Sequence, residues 1–345
     1  MAPDRGHGRD DVRCARRGSA RGPEPGRCRP VRPCAGAFVM TPPVLCVIDE
    51  AGLATVQDGG RPSLAGLGVP RSGAWHRSRY RTAAALVGAD HDQSAAVELL
   101  AGRLALTLRQ ATALAVVGPA DVRVHGEELP TDTALHVSAG QHVTVVHGGA
   151  GPVYVTVAGW QEPRTLGSCS TDTFSGIGGR VIGHGDVLLG WGDSGQVGSF
   201  ARPAAATTSP SASTLRVIAS GDADWCTQEW AVAATARSGT RLAGPVREVS
   251  SALPSRPTIV GAVQLTPAGE AIILGPDGGL TGGYATCGVL ITADLDLVSE
   301  LAVGVSIRFV PVDVAEASRA FEAQGSAEGR LVVRAGRLGQ EPAPG

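Results

Sequence analysis

The chain has 345 residues and a net charge of −2, and all 30 of its basic side chains are arginine, which excludes a phosphate-loop lysine and a biotin-carrying lysine. This length exceeds the roughly 250 to 300 residues at which single hydrophobic cores stop growing, so two domains are expected. The near-neutral charge argues against a nucleic-acid partner, and the lack of an apolar run of roughly 18 residues predicts a soluble, cytoplasmic protein without membrane contact.

The cysteines and histidines predict neither disulfides nor a metal site. The seven cysteines are odd in number, widely spread and without CxxC pairs, so we expect them to be reduced. The eight histidines show no HxH or HxxxH spacing within a segment expected to be ordered, which gives no support for a helix-borne metal site.

Residues 1–39 are rich in Arg, Gly and Pro and have few apolar side chains. Such a segment cannot bury enough surface to fold alone, so we expect a disordered N-terminal extension. Three interpretations are open: a basic interaction arm, a targeting peptide, or sequence upstream of a true start at Met40. The lack of an apolar segment excludes a signal peptide, and four acidic residues disfavour a transit peptide. We favour the start-site interpretation.

Short alternating segments follow from Val44 onward and predict a first domain over residues 40–201. Their regular spacing is typical of a β-sandwich or barrel. Helix-favouring composition predicts two short packing helices, Trp75–Leu86 and Gln93–Leu100. The predicted strands after these helices are Leu104–Leu108, Ala113–Val117, Val122–Val124, Val143–Val146 and Val153–Val157.

Residues 202–213 are rich in Pro, Ser and Thr and predict a linker. A second domain is predicted over 214–318, beginning with a strand at Leu215–Ala219 and a helix at Trp225–Thr235. Asp313 and Glu316 have capping-box spacing and predict the start of a last helix, whose end and tail occupy 319–345. Further strands are predicted at Ala271–Leu274, Val289–Thr292 and Val305–Val310.

Three polar, glycine-rich loops stand out: Gln57–Gly73, Leu166–Asp186 and Asp277–Tyr284. Glycines let backbone N–H groups turn toward one point, and hydroxyl side chains add donors, which together suit a carboxylate or phosphate. Taken singly, each loop is as readily a solvated turn. Because they share the same chemistry, we predict that they converge on one cleft between the domains.

Ten residues are predicted to bind the substrate or a phosphate group. With no lysine available, Arg61 and Arg180 are the candidates for a fixed positive charge. Asp58 and Arg61 either form a surface ion pair or face a ligand, and the sequence leaves both open. Glu98 is expected to be a solvated helix residue outside the site. The ten are Gln57, Asp58, Arg61, Ser168, Ser170, Thr171, Thr281, Gly282, Gly283 and Tyr284.

One further motif is rejected. Residues 192–195 read GDSG, which superficially resembles the nucleophile segment of trypsin-like proteases. The following Gln196 breaks that pattern and no second protease signature accompanies it, so a catalytic triad is not supported.

Four collinear stretches carry a resemblance to a known family: TVQDGGRPSLAGLGVPRSGA at 55–74, LVGADHDQSAAVEL at 86–99, LGSCSTDT at 166–173, and GAVQLTPAGEAIIL followed by TGGY within 261–284. They resemble the allophanate hydrolase subunit 2 family, which is also the family of 5-oxoprolinase C subunits and whose domain is similar to biotin-dependent carboxyltransferases. The resemblance runs from about Ile48 to about Ala317. It implies a mostly β protein with two cyclophilin-like β-barrel domains and a few short helices.

The resemblance also implies a function. The chain would be inactive alone and would work with the 5-oxoprolinase A and B subunits, most directly with the second of these, to convert 5-oxo-L-proline to L-glutamate. ATP with Mg would be held mainly by the complex, and no biotin would be attached to this chain. Two alternatives come with the family: a non-catalytic antagonist of a kinase inhibitor that is homologous to the B subunit, and the carboxyltransferase part of a urea carboxylase-like system.

The sequence departs from the family pattern at four positions. His76 stands where the family usually has Asp, Ala84 where it has Asn, Cys169 where it has Arg, and Ala285 where it has Pro. If the missing Asp or Arg contacts substrate, activity is weakened or lost.

Overall fold

The computed structural model describes residues 41–90, 92–192, 212–221, 223–244 and 253–338, with side chains except at 212 and 327–338. The predicted extension at 1–39 and nearly all of the predicted linker at 202–213 lie outside the described residues. The predicted domain boundaries therefore stay predictions. The described residues from Pro42 onward form one compact unit, which contains a nine-stranded sheet, a closed barrel and a small two-stranded sheet.

The first sheet has nine strands and is built around one long strand, β2. Neighbouring strands run in the order β5-β4-β7-β2-β8-β3-β6, and β1 pairs with both β2 and β9. All of these pairs are antiparallel. The strands are β1 (Val44–Gln57), β2 (Ala96–Leu108), β3 (Thr112–Val117), β4 (Ala120–Val124), β5 (Glu127–Leu129), β6 (Thr133–Val137), β7 (His142–His147), β8 (Val153–Val157) and β9 (Val187–Leu189).

Strands β3 and β8 are buried along their whole length, because each face of the sheet has its own cover. On one face, Leu114, Val116 and Val155 join the main hydrophobic core. On the other, helix α1 (Arg77–Leu86) packs its Tyr80 and Leu86 over the sheet. Side chains alternate across a strand, so a strand buried on both faces reads as a continuous apolar run.

The second sheet closes into a barrel in the order β10-β17-β14-β15-β12-β11-β18. Closure joins β10 to β18 in parallel, which leaves no unpaired edge. Trp225, Trp230 and Phe309 fill the interior. The strands are β10 (Ala212–Ala219), β11 (Glu229–Ala236), β12 (Gly239–Ala243), β14 (Ala262–Leu265), β15 (Ala271–Leu274), β17 (Ala285–Leu290) and β18 (Ser306–Pro311), with β13 (Arg256–Pro257) and β16 (Thr281–Gly282) forming a separate two-stranded sheet.

Two further α-helices complete the described fold. Helix α2 (Leu295–Val298) follows β17, and helix α3 (Val314–Leu338) packs beside α1. The Asp313 carboxylate accepts from the Glu316 backbone N–H at 2.7 Å, so the predicted helix start at this point is confirmed. Short 3-10 turns occupy Ala65–Leu67, Asp224–Thr227 and Thr292–Asp294.

The prediction of a mostly β protein with barrel-type sheets is confirmed, whereas two predicted helices are wrong. Residues 93–100 enter strand β2, where Ala96–Leu99 pair with β1. Residues 225–235 form a single 3-10 turn followed by β11. Both segments are rich in alanine, and their long-range strand pairing outweighs local helix propensity. Within the described residues, no helix is long and apolar enough to cross a membrane.

Candidate functional site

Asp58 ties the first predicted loop to the second. Its Oδ1 accepts from the Ser168 hydroxyl at 2.6 Å and the Ser170 hydroxyl at 2.5 Å, and its Oδ2 accepts from the Cys169 backbone N–H at 2.8 Å. Strand β1 ends at Gln57 and delivers Asp58 directly beside the second loop. The carboxylate therefore fixes two loops that are more than 100 residues apart in sequence.

Arg61 is buried rather than exposed. Only 1% of it reaches solvent, and its guanidinium donates to the backbone carbonyls of Thr165 at 3.0 Å and Ser170 at 2.5 Å. The interpretation of Asp58 and Arg61 as a surface ion pair is wrong, because the second loop folds over the Arg61 side chain. Among the described residues it forms no ion pair with Asp58, and its Nη1 has no hydrogen-bond partner.

The hydroxyls of the second loop are also used within the protein. Thr171 Oγ1 donates to the Val56 or Arg180 carbonyl, at 2.9 and 3.0 Å, and Ser168, Ser170 and Thr171 are buried. Buried Gln57 donates to the Thr171 carbonyl at 3.0 Å. In this structure these residues hold the loop in place, and a role of theirs in binding substrate stays a prediction.

The third loop reaches the other two through a residue that was not among the predicted site residues. Asp277, completely buried, accepts from the Ser72 hydroxyl at 2.8 Å and from the Thr173 hydroxyl at 2.7 Å. These contacts join all three loops. By contrast, Thr281 and Gly282 lie in a two-stranded sheet with Arg256 and Pro257.

The remaining predicted residues of the third loop, Gly283 and Tyr284, follow that small sheet. The Gly283 carbonyl accepts from the Leu253 N–H at 2.9 Å, and Tyr284 is exposed. In the described part of the chain, no hydrogen bond joins either residue to Asp58 or Ser168. The convergence of the loops therefore lies at the start of the third loop, at Asp277, rather than at its TGGY end.

A buried charge cluster lies at this junction and was missed from sequence. Arg237, in the turn after β11, donates to both Asp277 oxygens at 2.8 Å and to Glu98 Oε1 of strand β2. Glu98 Oε2 also accepts from the Tyr154 hydroxyl at 2.6 Å and the Trp75 N–H at 2.8 Å. The interpretation of Glu98 as a solvated helix residue is wrong; it is a fully buried strand residue.

The pKa values within this cluster follow from its pairing. Burial alone would lower the pKa of Arg237, but Glu98 and Asp277 outweigh burial and raise it. Burial would raise the pKa of Asp277, but the Arg237 guanidinium and Thr173 hold it below its ordinary value. Arg237 and Asp277 are therefore both ionised near neutral pH. The only sequence signal was a charged residue, Glu98, inside an apolar segment.

A second polar cluster connects helix α1 to helix α2. The Asp296 carboxylate accepts from the backbone N–H groups of Arg77 at 2.8 Å and Ser78 at 3.1 Å. A residue of helix α2, which follows the barrel strand β17, therefore caps the start of α1. His76 lies between two acids, with Nδ1 3.4 Å from Asp296 and Nε2 3.0 Å from Glu300. His76 thus has a clear structural role at the position where the family usually has Asp.

Two other departures from the family pattern, Cys169 and Ala84, are also internal. Cys169 is buried and its thiol contacts Asp58 Oδ2 at 3.4 Å, while burial and the nearby Asp58 charge raise its thiol pKa well above the ordinary range. Ala84 is completely buried in α1. Arg180, the other candidate cation, is neutralised by Glu162 at 2.8 Å and Asp186 at 3.1 Å.

Open space lies between the Gln57–Gly73 loop and the second barrel. A cavity of about 460 Å³ is lined by Arg61, Arg71 and Arg77 on one side and by Ile259, Leu274 and Leu280 on the other. Two neighbouring cavities, of about 80 and about 470 Å³, are also lined by Arg71 and Arg77. Within the residues that the structure describes, no group of three or more His, Cys, Asp or Glu could hold a metal ion.

Comparison with known proteins gives a family and two kinds of relative. Residues 67–311 match the sequence profile of the family described as carboxyltransferase domain, subdomain A and B. The chain is 30% identical over 303 residues to the C subunit of 5-oxoprolinase from Escherichia coli, a match that covers 81% of this chain and 95% of that protein. It is 27% identical over 338 residues to urea amidolyase of Lachancea kluyveri, covering 86% of this chain but only 18% of that protein.

The solved structures agree on the fold. The crystal structure of K. lactis urea amidolyase superposes with a TM-score of 0.74 at 24% identity, over 86% of this chain and 20% of that one. At this identity the likeness concerns the fold alone. The chain thus corresponds to one portion of a much longer enzyme and to nearly the full length of a separate bacterial subunit.

Proposed function

This chain belongs to the carboxyltransferase domain, subdomain A and B, family, and we propose that it forms part of a heteromeric, ATP-dependent 5-oxoprolinase together with the A and B subunits of that enzyme. One observation carries this proposal: the match that covers 95% of the 5-oxoprolinase C subunit from Escherichia coli. The similarity therefore extends over nearly the whole length of that subunit. A cytoplasmic location follows as part of the same proposal.

The proposed reaction opens the lactam ring of 5-oxo-L-proline to give L-glutamate. A lactam carbonyl is an unreactive amide, so transfer of the ATP γ-phosphoryl group to its oxygen makes the ring carbon electrophilic. ADP leaves, water adds to that carbon, and the ring C–N bond breaks to give γ-glutamyl phosphate. A second water then hydrolyses this acyl phosphate to L-glutamate and inorganic phosphate. Such a site needs fixed donors for the ring carboxylate and for the transferring phosphoryl group.

The geometry supports a contribution of binding and positioning from this chain. The Asp58 contacts and the Arg237–Glu98–Asp277 cluster hold the three loops in place where they meet. Rigid support of this kind limits the reorganisation that ligand binding requires. Under this proposal Mg-ATP is held mainly by the complex.

Reconstitution with the A and B subunits tests the proposal. The three proteins are mixed with 5-oxo-L-proline and Mg-ATP, and L-glutamate release is followed; single omission of each protein and of ATP provides the controls. We expect release only from the complete mixture. If this chain does not increase the rate of L-glutamate release by the A and B subunits, the proposal is contradicted. Tight binding of this chain to the B subunit without turnover favours the antagonist role instead.

Carboxyl transfer is the second candidate, because the urea amidolyase match extends over 86% of this chain. The whole enzyme's activity belongs to a protein of which this chain covers 18%, and this chain has no lysine to carry biotin. A biotin carboxylase and a biotin carrier would have to come from other chains. Urea-dependent ATP hydrolysis that appears only when this chain joins those proteins would favour this function over lactam opening.

A further inference from the structure

Three arginines surround the connected open space beside helix α1. Arg71 lies near the end of the first loop, and Arg77 and Arg81 are four residues apart on α1, which places them on one face of the helix. All three line the cavity of about 470 Å³, together with Asp92, Leu166 and Gly167. Arg71 and Arg77 also line the two cavities that extend toward the second barrel.

The positive charge around this space exceeds the negative charge. Arg81 pairs with Asp92 at 3.1 Å, whereas the guanidinium groups of Arg71 and Arg77 form no ion pair or hydrogen bond among the described residues. The Asp296 carboxylate accepts from the Arg77 backbone N–H, and its charge and that of Asp92 also favour the charged form of the Arg77 guanidinium. Burial, followed by the charges of Arg71 and Arg81, lowers the pKa of Arg77 to about 10. A bound anion would relieve this repulsion between like charges.

A fourth arginine supplies an independent observation. Arg61 is 1% exposed, lines the cavity of about 460 Å³, and has a buried Nη1 without a hydrogen-bond partner. Its other nitrogens donate to backbone carbonyls, so no carboxylate neutralises it in the described part of the chain. A buried charged donor without an acceptor is unfavourable unless a ligand or water completes it.

The opposite wall of the same cavity is apolar. Ile259, Leu274 and Leu280 of the second barrel line it, with Pro276 and Leu295 nearby. Sites of this kind, with an apolar surface facing a few fixed polar groups, suit ligands that have a charged end and a less polar body. The volumes of the two larger cavities, about 460 and about 470 Å³, are in the range of small-molecule sites, which is roughly 300 to 1,000 Å³.

We propose that Arg71, Arg77 and Arg81, with Arg61 behind them, form a binding site for an oxyanion, either a carboxylate or a phosphate group, whose ligand rests its less polar body against Ile259, Leu274 and Leu280. This site differs from the predicted hydroxyl cradle, because those hydroxyls bond to the protein itself. The inference rests on the proposed function in one respect only, which is that the bound anion would be a group of the substrate of the complex.

Calorimetric titration of the isolated full chain tests the site. Inorganic phosphate and 5-oxo-L-proline are titrated separately at low ionic strength into the wild type, Arg77→Gln and the control Arg241→Gln. Arg241 lies on β12 of the barrel, is exposed and pairs only with Glu270 at 3.3 Å among the described residues. It lines none of the three cavities, so Arg241→Gln removes an equal charge outside the site. Phosphate binding alone identifies a phosphate site, and 5-oxo-L-proline binding alone identifies a carboxylate site.

We expect at least one of the two anions to bind the wild type and Arg241→Gln equally, with a Kd that rises about tenfold or more in Arg77→Gln because one charge-assisted hydrogen bond is lost. Added salt should weaken binding. No binding of either anion to the wild type, or equal binding to Arg77→Gln and Arg241→Gln, overturns the inference.

Arg71→Gln provides a second variant should Arg77→Gln fail to fold, because the Arg71 side chain is exposed, and the same loss of affinity is expected. Equal affinities of Arg71→Gln and the wild type would then overturn the inference. The measurement needs no partner protein. If the isolated chain binds an anion but the reconstituted complex shows no turnover, the proposed function is contradicted and the anion site stands. If the complex turns over but the isolated chain binds neither anion, the anion site is contradicted and the proposed function stands.

Discussion

Arg61 has a structural role at the centre of the loop junction, and its removal should destabilise the protein. Arg61→Ala leaves the carbonyl of Thr165 and the buried carbonyl of Ser170 without their charged donor. We expect the free energy of unfolding to fall by about 3 kcal/mol. Denaturant unfolding measures this. The control Arg103→Ala removes an exposed arginine of strand β2 that pairs with Glu50 at 3.5 Å and should cost less than about 1 kcal/mol. A near-wild-type value for Arg61→Ala would refute the structural role.

Arg237 holds two buried carboxylates, so its loss should cost more than the loss of a surface arginine. In Arg237→Ala, Glu98 and Asp277 stay in the interior without their cation. Breaking a buried ion pair from one side typically costs about 3 to 5 kcal/mol. The melting temperature of Arg237→Ala should fall far below that of Arg241→Ala, whose arginine lies exposed on the same barrel. Equal melting temperatures would show that the cluster contributes little.

The sequence predicted which loops meet but not which atoms face the open space. Asp58, Ser168 and Ser170 were singled out for their polarity, and they do contact one another. Their burial results from the second loop folding back beside β1, and such long-range packing leaves no local sequence pattern. Glu98 and Arg237 were missed for the same reason, since these two partners are 139 residues apart in sequence.

At the level of elements, alternation of apolar residues predicted the strands well. Segments such as Ala113–Val117 and Val153–Val157 correspond to β3 and β8. The failures occurred where composition favoured a helix and strand pairing prevailed. Ala96–Leu99 pairs with β1 and, in part, with β8, and β11 pairs with β12 and β18. A strand partner as distant in sequence as β1 is from β2, or β18 from β11, cannot be inferred from local propensity.

Asp313 caps helix α3, and this contact allows a test at the same level. Asp313→Ala removes the acceptor of the Glu316 N–H and should destabilise the helix start by about 1 kcal/mol. Amide hydrogen exchange should become faster in the first turn of α3. Asp313→Ser keeps a capping oxygen and should retain most of the protection. Unchanged exchange in Asp313→Ala would mean that packing beside α1, rather than the cap, fixes this end.

For the molecule as a whole, the contacts between the two sheets should make stability sensitive to acid. Burial alone would raise the pKa of Asp296, but the charge of His76 and donors from Ser78 and Arg77 lower it below its ordinary value of 3.8. A carboxyl with a lowered folded pKa stabilises the fold above its unfolded pKa, and this contribution is lost as pH falls through the folded pKa. Glu300 and Asp277 behave in the same way.

Asp296→Asn should therefore lower the melting temperature at pH 7 and make its decline between about pH 5 and pH 2 shallower than in the wild type. Melting curves across this range measure both effects. Asp121→Asn, which changes an exposed carboxylate of strand β4, should leave the curve unchanged. An equally steep decline in Asp296→Asn would mean that this carboxylate does not link the two sheets.

The most direct test of the proposed function is a titration of this chain into fixed amounts of the A and B subunits with 5-oxo-L-proline and Mg-ATP. The initial rate of L-glutamate release should start near zero, rise with added chain, and saturate once the two partner proteins are fully occupied. The isolated chain should release none. A rate that is already maximal without this chain, or that stays at zero at every amount added, would contradict its assignment as the third component of a 5-oxoprolinase.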